Sequence, residues 1–362
     1  MEGTQRFQIL YSPLGKNPIQ LFIYTYHNKS LRSVLISFVL IHSKVLLVST
    51  QNNIKMKQKT LVFHIGCSAG FFSEYLEMVA AIAYCENHKI DFKLYSADAN
   101  FAYCKGWTDF FDPFCEEVND DFHKKYNMRF KYPPLYKMIL KRILKKRIIP
   151  TWYWQKFSWW YIKVFLCAPF YKLRYNFDYY THDLWKEIQQ FKKYNLLYIN
   201  DTERDIIRNT WKFNENTRFK IANIMRSLNL PEIYIGTQIR AGDKSREEKV
   251  YDFSEYMDKI KSLKSGIFDL FILTDDFYVI RSIRDKYPEY NIYTLCSEDE
   301  NGYDNDKFQN FTIEYKQNKL INLFASVEIL WRSNIFVGAI NANPSLFLYK
   351  RQHPNSFWLN TI

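Results

Sequence analysis

Apolar and polar positions follow a regular pattern in the second half of the chain. Short apolar runs alternate with longer stretches in which apolar residues recur at helical spacing. The runs predict β-strands at 232–240, 268–274, 291–295 and 335–339. The stretches between and after them predict helices at 254–263, 277–286, 319–332 and 345–350. Asp252 with Glu255 three positions later is a capping-box pattern for the start of the first of these helices. A repeated strand–helix order predicts an α/β fold with a parallel sheet.

The first half of the chain contains a shorter stretch of the same pattern. An apolar strand at 61–65 is followed by the glycine-containing turn 66–70, a helical pattern at 71–86 and a second strand at 91–95. This order is a βαβ unit. The glycines of the turn are compatible with a phosphate or sugar loop and equally with a plain tight turn.

The segment 97–117 is rich in aromatic and polar residues, including Trp107, Asp109 and Asp112. We expect a loop with short helices. The aromatic residues of this loop have two interpretations: they line a sugar site, or they pack as in an ordinary loop.

The pattern divides the chain into three parts. Residues 1–55 read as an N-terminal extension outside the fold, with a weak membrane anchor as the alternative. Their apolar run is interrupted and is short of the roughly 20 residues of a membrane span. Residues 56–205 are predicted to form one domain. Residues 206–362 are predicted to form a second domain, which contains the parallel sheet.

Charge is concentrated in one segment of the chain. The formal net charge is +12, and 122–177 contains fourteen Lys and Arg but no acidic residue. Within it, 136–161 reads as a basic amphipathic helix followed by tryptophans, a pattern typical of an anionic membrane surface. Single-stranded nucleic acid is the less favoured partner, and a solvated helix face remains open. We expect a cytoplasmic protein, peripheral at the cytoplasmic membrane face.

The residues that usually bind metals or form disulfides show no strong pattern. The six cysteines are dispersed and form no CxxC pair, which favours buried free thiols in a reducing compartment. Asp304-Asn305-Asp306 has the letters of an Asp-x-Asp metal motif, but it lies in a loop rich in acids and asparagine. We therefore expect no metal and no cofactor.

Polar clusters follow three of the predicted strands. They comprise Arg240 to Lys244, Asp275 with Asp276, and Asn341 to Ser345. Because the carboxyl ends of parallel strands meet at one edge of a sheet, all three clusters are expected at the same edge, where ligands bind in open α/β sheets. Arginine and lysine suit a diphosphate, and carboxylates and amides suit a base and a ribose. A nucleotide ligand fits these residue types.

Three segments within 232–350 resemble the core α-1,6-fucosyltransferase family, in the same order and at compatible spacing. The matching residues are Gln238-Ile239-Arg240-Ala241-Gly242-Asp243-Lys244 with Tyr251 and Ser254-Glu255-Tyr256-Met257, then Leu273-Thr274-Asp275-Asp276 with Lys286-Tyr287-Pro288, and finally Phe336-Val337-Gly338. The first segment is similar to the family's His-x-Arg-Arg-x-Asp-Lys motif. The N-terminal half is similar only loosely.

The resemblance implies a GT-B fold, in which two Rossmann-like domains face a cleft. On this fold 56–205 is expected to be the acceptor-side domain and 206–362 the nucleotide-sugar donor domain. The resemblance also implies inverting, metal-independent transfer of L-fucose from GDP-fucose, the donor substrate, to a glycan hydroxyl. Arg240 matches the arginine that binds the donor's β-phosphate and stabilises the leaving group, and Glu247 or Glu248 lies near the proposed catalytic carboxylate. The expected donor-binding residues are Gln238, Arg240, Asp243, Lys244, Asp275, Asp276, Asn341 and Asn343.

Two departures from the family motif leave the donor open. The family's histidine is replaced by Gln238, and its second arginine by Ala241. One alternative is therefore a transferase for another nucleotide sugar. Another is a non-catalytic membrane- or nucleic-acid-binding protein with a degenerate cleft.

Overall fold

The computed structural model describes residues 58–66, 69–127, 168–196, 201–241, 251–303 and 305–360. Residues Gln58–Ile362 form one compact unit. The predictions for residues 1–55 and for the basic segment 136–161 lie outside the described residues.

The first half contains a parallel sheet of short strands. Its strands are β1 (Lys59–His64), β2 (Ile90–Tyr95), β3 (Glu116–Glu117) and β4 (Tyr179–Tyr180). The helices are α1 (Phe71–His88), α2 (Phe122–Tyr126), α3 (Ala168–Arg174) and α4 (Thr181–Leu196), with a 3₁₀ turn at Trp107–Asp109. The order is β3-β2-β1-β4, and every pairing is parallel. The predicted βαβ unit is confirmed as β1–α1–β2.

Two further helices precede the second sheet. They are α5 (Asp201–Thr210) and α6 (Glu215–Ser227). The predicted domain boundary between residues 205 and 206 falls within α5, and it stays a prediction.

The second half is a five-stranded parallel sheet with alternating helices. Its strands are β5 (Ile235–Ile239), β6 (Asp269–Thr274), β7 (Asn291–Tyr293), β8 (Ile335–Gly338) and β9 (Ser356–Trp358). The helices are α7 (Phe253–Ser262), α8 (Phe277–Lys286), α9 (Asn305–Asn310), α10 (Ile313–Arg332) and α11 (Asn343–Arg351). The order is β7-β6-β5-β8-β9, again with parallel pairings only. The predicted α/β class is confirmed, and two parallel sheets in succession agree with a GT-B fold.

Both faces of the second sheet are buried. Ile235, Leu270 and Val337 pack on one face with residues of α7 and α8. Phe271 and Phe336 pack on the other face in the cluster that contains α10. Alternate residues of a strand point to opposite faces, so helices on both sides explain why these strands read as continuous apolar runs. At Gly236, an added Cβ would lie 2.9 Å from Leu330 Cδ2 and from Ser333 Oγ, so glycine permits the close approach of α10 to β5.

Aromatic residues make up 19% of the chain, and several of their rings pack together where the two halves meet. Phe71 at the start of α1 contacts Phe324 of α10, with ring centroids 4.8 Å apart, and Phe111 at 5.8 Å. Trp211 lies 4.5 Å from Phe347 of α11. These rings belong to one core cluster with residues from both sheets. Offset and edge-to-face aromatic pairs stabilise such a core beyond the area they bury.

The start of α7 confirms a prediction made from local sequence. The Asp252 side chain accepts a hydrogen bond from Ser254 N at 2.9 Å, and Glu255 Oε2 accepts one from Asp252 N at 2.8 Å. This reciprocal arrangement is a capping box, which satisfies backbone N–H groups that have no partner within the helix.

The described cysteines are free thiols with different exposures. Cys85 is buried and Cys104 is exposed, while Cys115 and Cys296 are partly buried. The expectation that all free thiols are buried is therefore wrong for Cys104. Burial raises the pKa of Cys85, Cys115 and Cys296 to about 12, so these thiols are protonated at neutral pH and are poor nucleophiles. Within the described residues, no helix combines the length and apolar character needed to span a bilayer.

Candidate functional site at the strand ends

The carboxyl ends of β6, β5 and β8 lie side by side in the second sheet. Arg240 follows β5, Asp275 follows β6, and the turn containing Asn341 follows β8. The structure therefore brings the described members of the three predicted clusters to one sheet edge. Arg240 is only partly buried. The ligand-binding role of each of these residues stays a prediction.

Asp275 connects two loops at this edge by accepting hydrogen bonds from backbone N–H groups. Its Oδ1 accepts a hydrogen bond from Ala241 N at 3.0 Å, and its Oδ2 accepts one from Tyr303 N at 3.2 Å. Each carboxylate oxygen thus holds a different loop, and one of these loops carries Arg240. The contacts give Asp275 a structural role beside the donor-binding role predicted for it.

Asp276 is the N-cap of α8. Its Oδ1 accepts a hydrogen bond from Tyr278 N at 2.9 Å, which satisfies one N–H of the first helical turn. The donor-binding role predicted for Asp276 has no support in this contact and stays a prediction.

Gln238 connects β5 to α11. It is only 4% exposed, and its Oε1 accepts a hydrogen bond from Ser345 Oγ at 2.5 Å. Ser345 is fully buried. The glutamine that replaces the family's histidine therefore holds α11 against the sheet. The sequence placed Ser345 in the right cluster, but nothing in it indicated this contact across 107 positions.

The N-terminus of α11 is the remaining component of the edge. Its N-cap is Ala342, which has no side chain that can cap the helix, and proline follows in the first turn. Asn343 is the first helical residue. The first backbone N–H groups of a helix have no intrahelical partner and carry a partial positive charge, which favours an anion.

Several predicted residues fall outside the described part of the chain. Asp243, Lys244, Glu247 and Glu248 lie in 242–250, so the catalytic carboxylate is not placed. The side chains of the Asp-x-Asp letters at 304–306 also lie outside it. In the described remainder, no group of three or more His, Cys, Asp or Glu side chains could hold a metal ion.

The loop after β2 does not present Trp107 to a ligand. Trp107 is 1% exposed and stacks on Phe111, with ring centroids 4.2 Å apart. The carboxylate of Asp109 accepts hydrogen bonds from the backbone N–H groups of Tyr103, Cys104, Lys105 and Gly106. Ordinary loop packing therefore accounts for both residues, and a sugar cannot stack on the buried Trp107 ring.

Two histidines lie near the carboxyl ends of the first sheet, at positions that the sequence pattern did not single out. His64 ends β1, and its Nε2 lies 2.8 Å from Asp98 Oδ1. His123, in α2, is buried between the rings of Tyr95 and Phe177. Burial lowers the pKa of His123 to about 3, with a smaller contribution from His64.

The buried His123 predicts a loss of stability in mild acid. In the unfolded chain His123 becomes protonated below about pH 6.5, whereas in the folded chain it stays neutral down to about pH 3. The free energy of unfolding therefore falls as the pH is lowered across that interval. We expect His123→Phe to remove this dependence. Relative to the variant, the native chain should lose about 2 kcal/mol between pH 7 and pH 5. Urea unfolding at both pH values measures the difference, and parallel losses in the two proteins would contradict the prediction.

No family model matches the chain, and a search of curated proteins finds no match to its sequence. Solved structures do resemble it. Fucosyltransferase NodZ from Bradyrhizobium is 12% identical with a TM-score of 0.45, over 82% of this chain and 93% of that one. POFUT1 in complex with GDP-fucose is 12% identical with a TM-score of 0.46, over 84% and 98%. Both belong to the class of enzyme that the sequence resemblance indicates.

Proposed function

We propose that this chain is a fucosyltransferase-like glycosyltransferase that binds GDP-fucose at the carboxyl edge of the second sheet. It would transfer L-fucose to a glycan hydroxyl with inversion and without a metal. The observation that carries the proposal is the convergence of Arg240, the Asn341 turn and the N-terminus of α11 at one sheet edge. The ordered sequence resemblance over 232–350 supplies the identity of the donor.

The diphosphate of the donor has two partners of suitable chemistry at this edge. The guanidinium of Arg240 can form paired, charge-assisted hydrogen bonds to phosphate oxygens. The N-terminus of α11 offers backbone N–H groups. Asp243 and Lys244 follow Arg240 in the chain and belong to the same proposed site. Asp276, Asn341 and Asn343 are proposed to contact the nucleoside or sugar.

The reaction would be a single displacement at the fucose anomeric carbon. The acceptor oxygen forms a bond to that carbon while the bond from the carbon to the diphosphate oxygen breaks, and GDP leaves with the electron pair. Arg240 would stabilise the negative charge that develops on the leaving diphosphate. Glu247 or Glu248 would take the proton of the acceptor hydroxyl.

The departures from the family motif concern binding strength and donor choice. Ala241 replaces an arginine, and Gln238 is engaged by Ser345. One fewer arginine removes a charge-assisted contact worth about 1.5–3 kcal/mol. Another nucleotide sugar therefore remains the alternative donor. Docking of 136–161 on an anionic membrane also stays a prediction.

The proposal is tested by the turnover of nucleotide sugars. The full-length chain is incubated with GDP-fucose, GDP-mannose, UDP-glucose and ADP-glucose, with and without EDTA. A mixture of methyl glycosides supplies the acceptor hydroxyl, and the released nucleotide is measured. We expect GDP release from GDP-fucose in preference to the other donors, with no effect of EDTA. Preference for a different donor would overturn the donor assignment, and no turnover of any donor would overturn the enzymatic proposal.

A further inference from the structure

A second polar site lies at the carboxyl edge of the first sheet. His64 ends β1, and Asp98 lies in the loop that follows β2. Their side chains meet at 2.8 Å between His64 Nε2 and Asp98 Oδ1. The same edge of a parallel sheet is the usual place for ligands. We call this pair the His64–Asp98 site.

A buried network of hydrogen bonds fixes the position of His64. Its backbone N donates to Thr181 Oγ1 at 2.7 Å, and its Nδ1 donates to the carbonyl oxygen of Asn127. The Asn127 side chain donates from Nδ2 to Val62 O at 2.6 Å and accepts from Thr181 N at 2.8 Å. Both Asn127 and Thr181 are fully buried. Hydrogen bonds of this kind lock the orientation of a side chain.

The hydrogen-bond pattern leaves one carboxylate oxygen of Asp98 for a ligand. The Asn127 carbonyl can only accept, so Nδ1 of His64 carries a proton. The other ring nitrogen, Nε2, contacts Asp98 Oδ1 at 2.8 Å. Among the described residues, Asp98 Oδ2 has no hydrogen-bond partner.

Asp98 is the more exposed member of the pair. The side chain of Asp98 is 14% exposed and that of His64 is 8% exposed. Gly66 covers the imidazole, because a Cβ at this position would overlap the His64 ring. Glycine at position 66 is thus needed for the backbone to pass over the ring.

A chain of contacts leads from this site to the proposed donor edge. Asn100 Nδ2 donates to Ala69 O at 2.7 Å, which joins the loop after β2 to the turn after β1. A Cβ on Gly70 in that turn would lie 3.9 Å from Tyr303 Oη. The backbone N of Tyr303 is held by Asp275, which also holds the loop that carries Arg240. The two sheet edges therefore meet around Tyr303.

We propose that Asp98, oriented by His64, binds a hydroxyl group of the sugar acceptor. The inference rests on the proposed function and adds the acceptor subsite to it. The carboxylate oxygen Oδ2 accepts a hydrogen bond from the acceptor hydroxyl, while the contact with His64 Nε2 holds the Asp98 side chain in place. Asp98 thus contacts the acceptor, and His64 is a positioning residue. Holding the acceptor in one orientation contributes to rate by reducing the entropy lost in the transfer step.

The test compares sugar binding by the native chain, Asp98→Asn and His64→Ala, all full-length and saturated with GDP. Saturation-transfer NMR is recorded with the methyl glycosides of glucose, galactose, mannose and N-acetylglucosamine. We expect at least one glycoside to bind the native chain, and its Kd to rise about tenfold in both variants. The control is Glu116→Gln, which breaks the exposed Lys93–Glu116 pair on β2 and β3 and should leave the Kd unchanged.

The outcomes separate this inference from the proposed function. If the native chain fails to bind GDP, the proposed function is wrong. If GDP binds normally but no glycoside binds, or if Asp98→Asn binds the glycoside as tightly as the native chain does, the acceptor subsite is wrong and the donor site stands. Asp98→Asn preserves size, and its thermal unfolding temperature shows whether the variant is folded. A purely structural ion pair would lower that temperature without changing the Kd of the glycoside.

Discussion

Arg240→Ala is expected to weaken GDP binding by about 10- to 150-fold, because a charge-assisted hydrogen bond to phosphate is worth about 1.5–3 kcal/mol. The arginine directly follows β5 at the edge where three strand ends meet. Calorimetric titration of the full-length chain with GDP measures the change. The Kd of Arg240→Lys for GDP should lie between those of the native chain and the alanine variant, because lysine keeps the charge but cannot form bidentate hydrogen bonds.

A matched control separates loss of the site from a general loss of positive charge. Arg226 lies on α6, where its exposed side chain bonds to Asn223 Oδ1 and Ala222 O. Arg226→Ala should leave the Kd for GDP unchanged. If Arg240→Ala also binds GDP with the native Kd, Arg240 has no part in the donor site.

Lys350→Met is expected to lower the free energy of unfolding by about 3–5 kcal/mol, because it leaves the carboxylate of Glu203 buried without its counter-ion. Lys350 Nζ pairs with Glu203 Oε2, and the two side chains are 7% and 3% exposed. The pair fixes α11 to α5. We therefore also expect weaker GDP binding, because α11 contributes its N-terminus to the proposed site.

Two further variants test the origin of that effect by urea unfolding. The double variant Glu203→Leu with Lys350→Met removes both charges and should recover most of the lost stability. Lys93→Met breaks an exposed pair and should cost at most about 1 kcal/mol. The account of the buried pair is contradicted if Lys350→Met costs no more than Lys93→Met, or if the double variant is no more stable than Lys350→Met alone.

The local sequence was sufficient wherever one segment determines its own structure. The helix Phe277–Lys286 was predicted with its observed bounds, and the capping box at Asp252 was predicted from residues three apart. The short strands Glu116–Glu117, Tyr179–Tyr180 and Ser356–Trp358 were missed. Two or three residues are too few to show a period, and these strands form by pairing with neighbours that are distant in the chain.

The candidate site was predictable in position and less so in contacts. The strand-end rule brought Arg240, Asp275 and Asn341 to one edge because parallel strands end together. Asp275 contacts Tyr303, 28 positions away in the chain, and Gln238 contacts Ser345, 107 positions away. Such distant partners cannot be read from the local sequence. His64 and Asp98 were missed for the same reason. Each is an ordinary residue in its own segment, and only the pairing of β1 with β2 brings them together.

The most direct test of the central claim is a calorimetric titration of the full-length chain with GDP, UDP and ADP, in EDTA and then in Mg²⁺. The proposed donor site predicts that GDP binds in EDTA and that UDP and ADP bind much more weakly. Added Mg²⁺ should leave the Kd for GDP unchanged. If no nucleotide binds, or if UDP or ADP binds as tightly as GDP, the edge formed by Arg240 and α11 is not a GDP-sugar site.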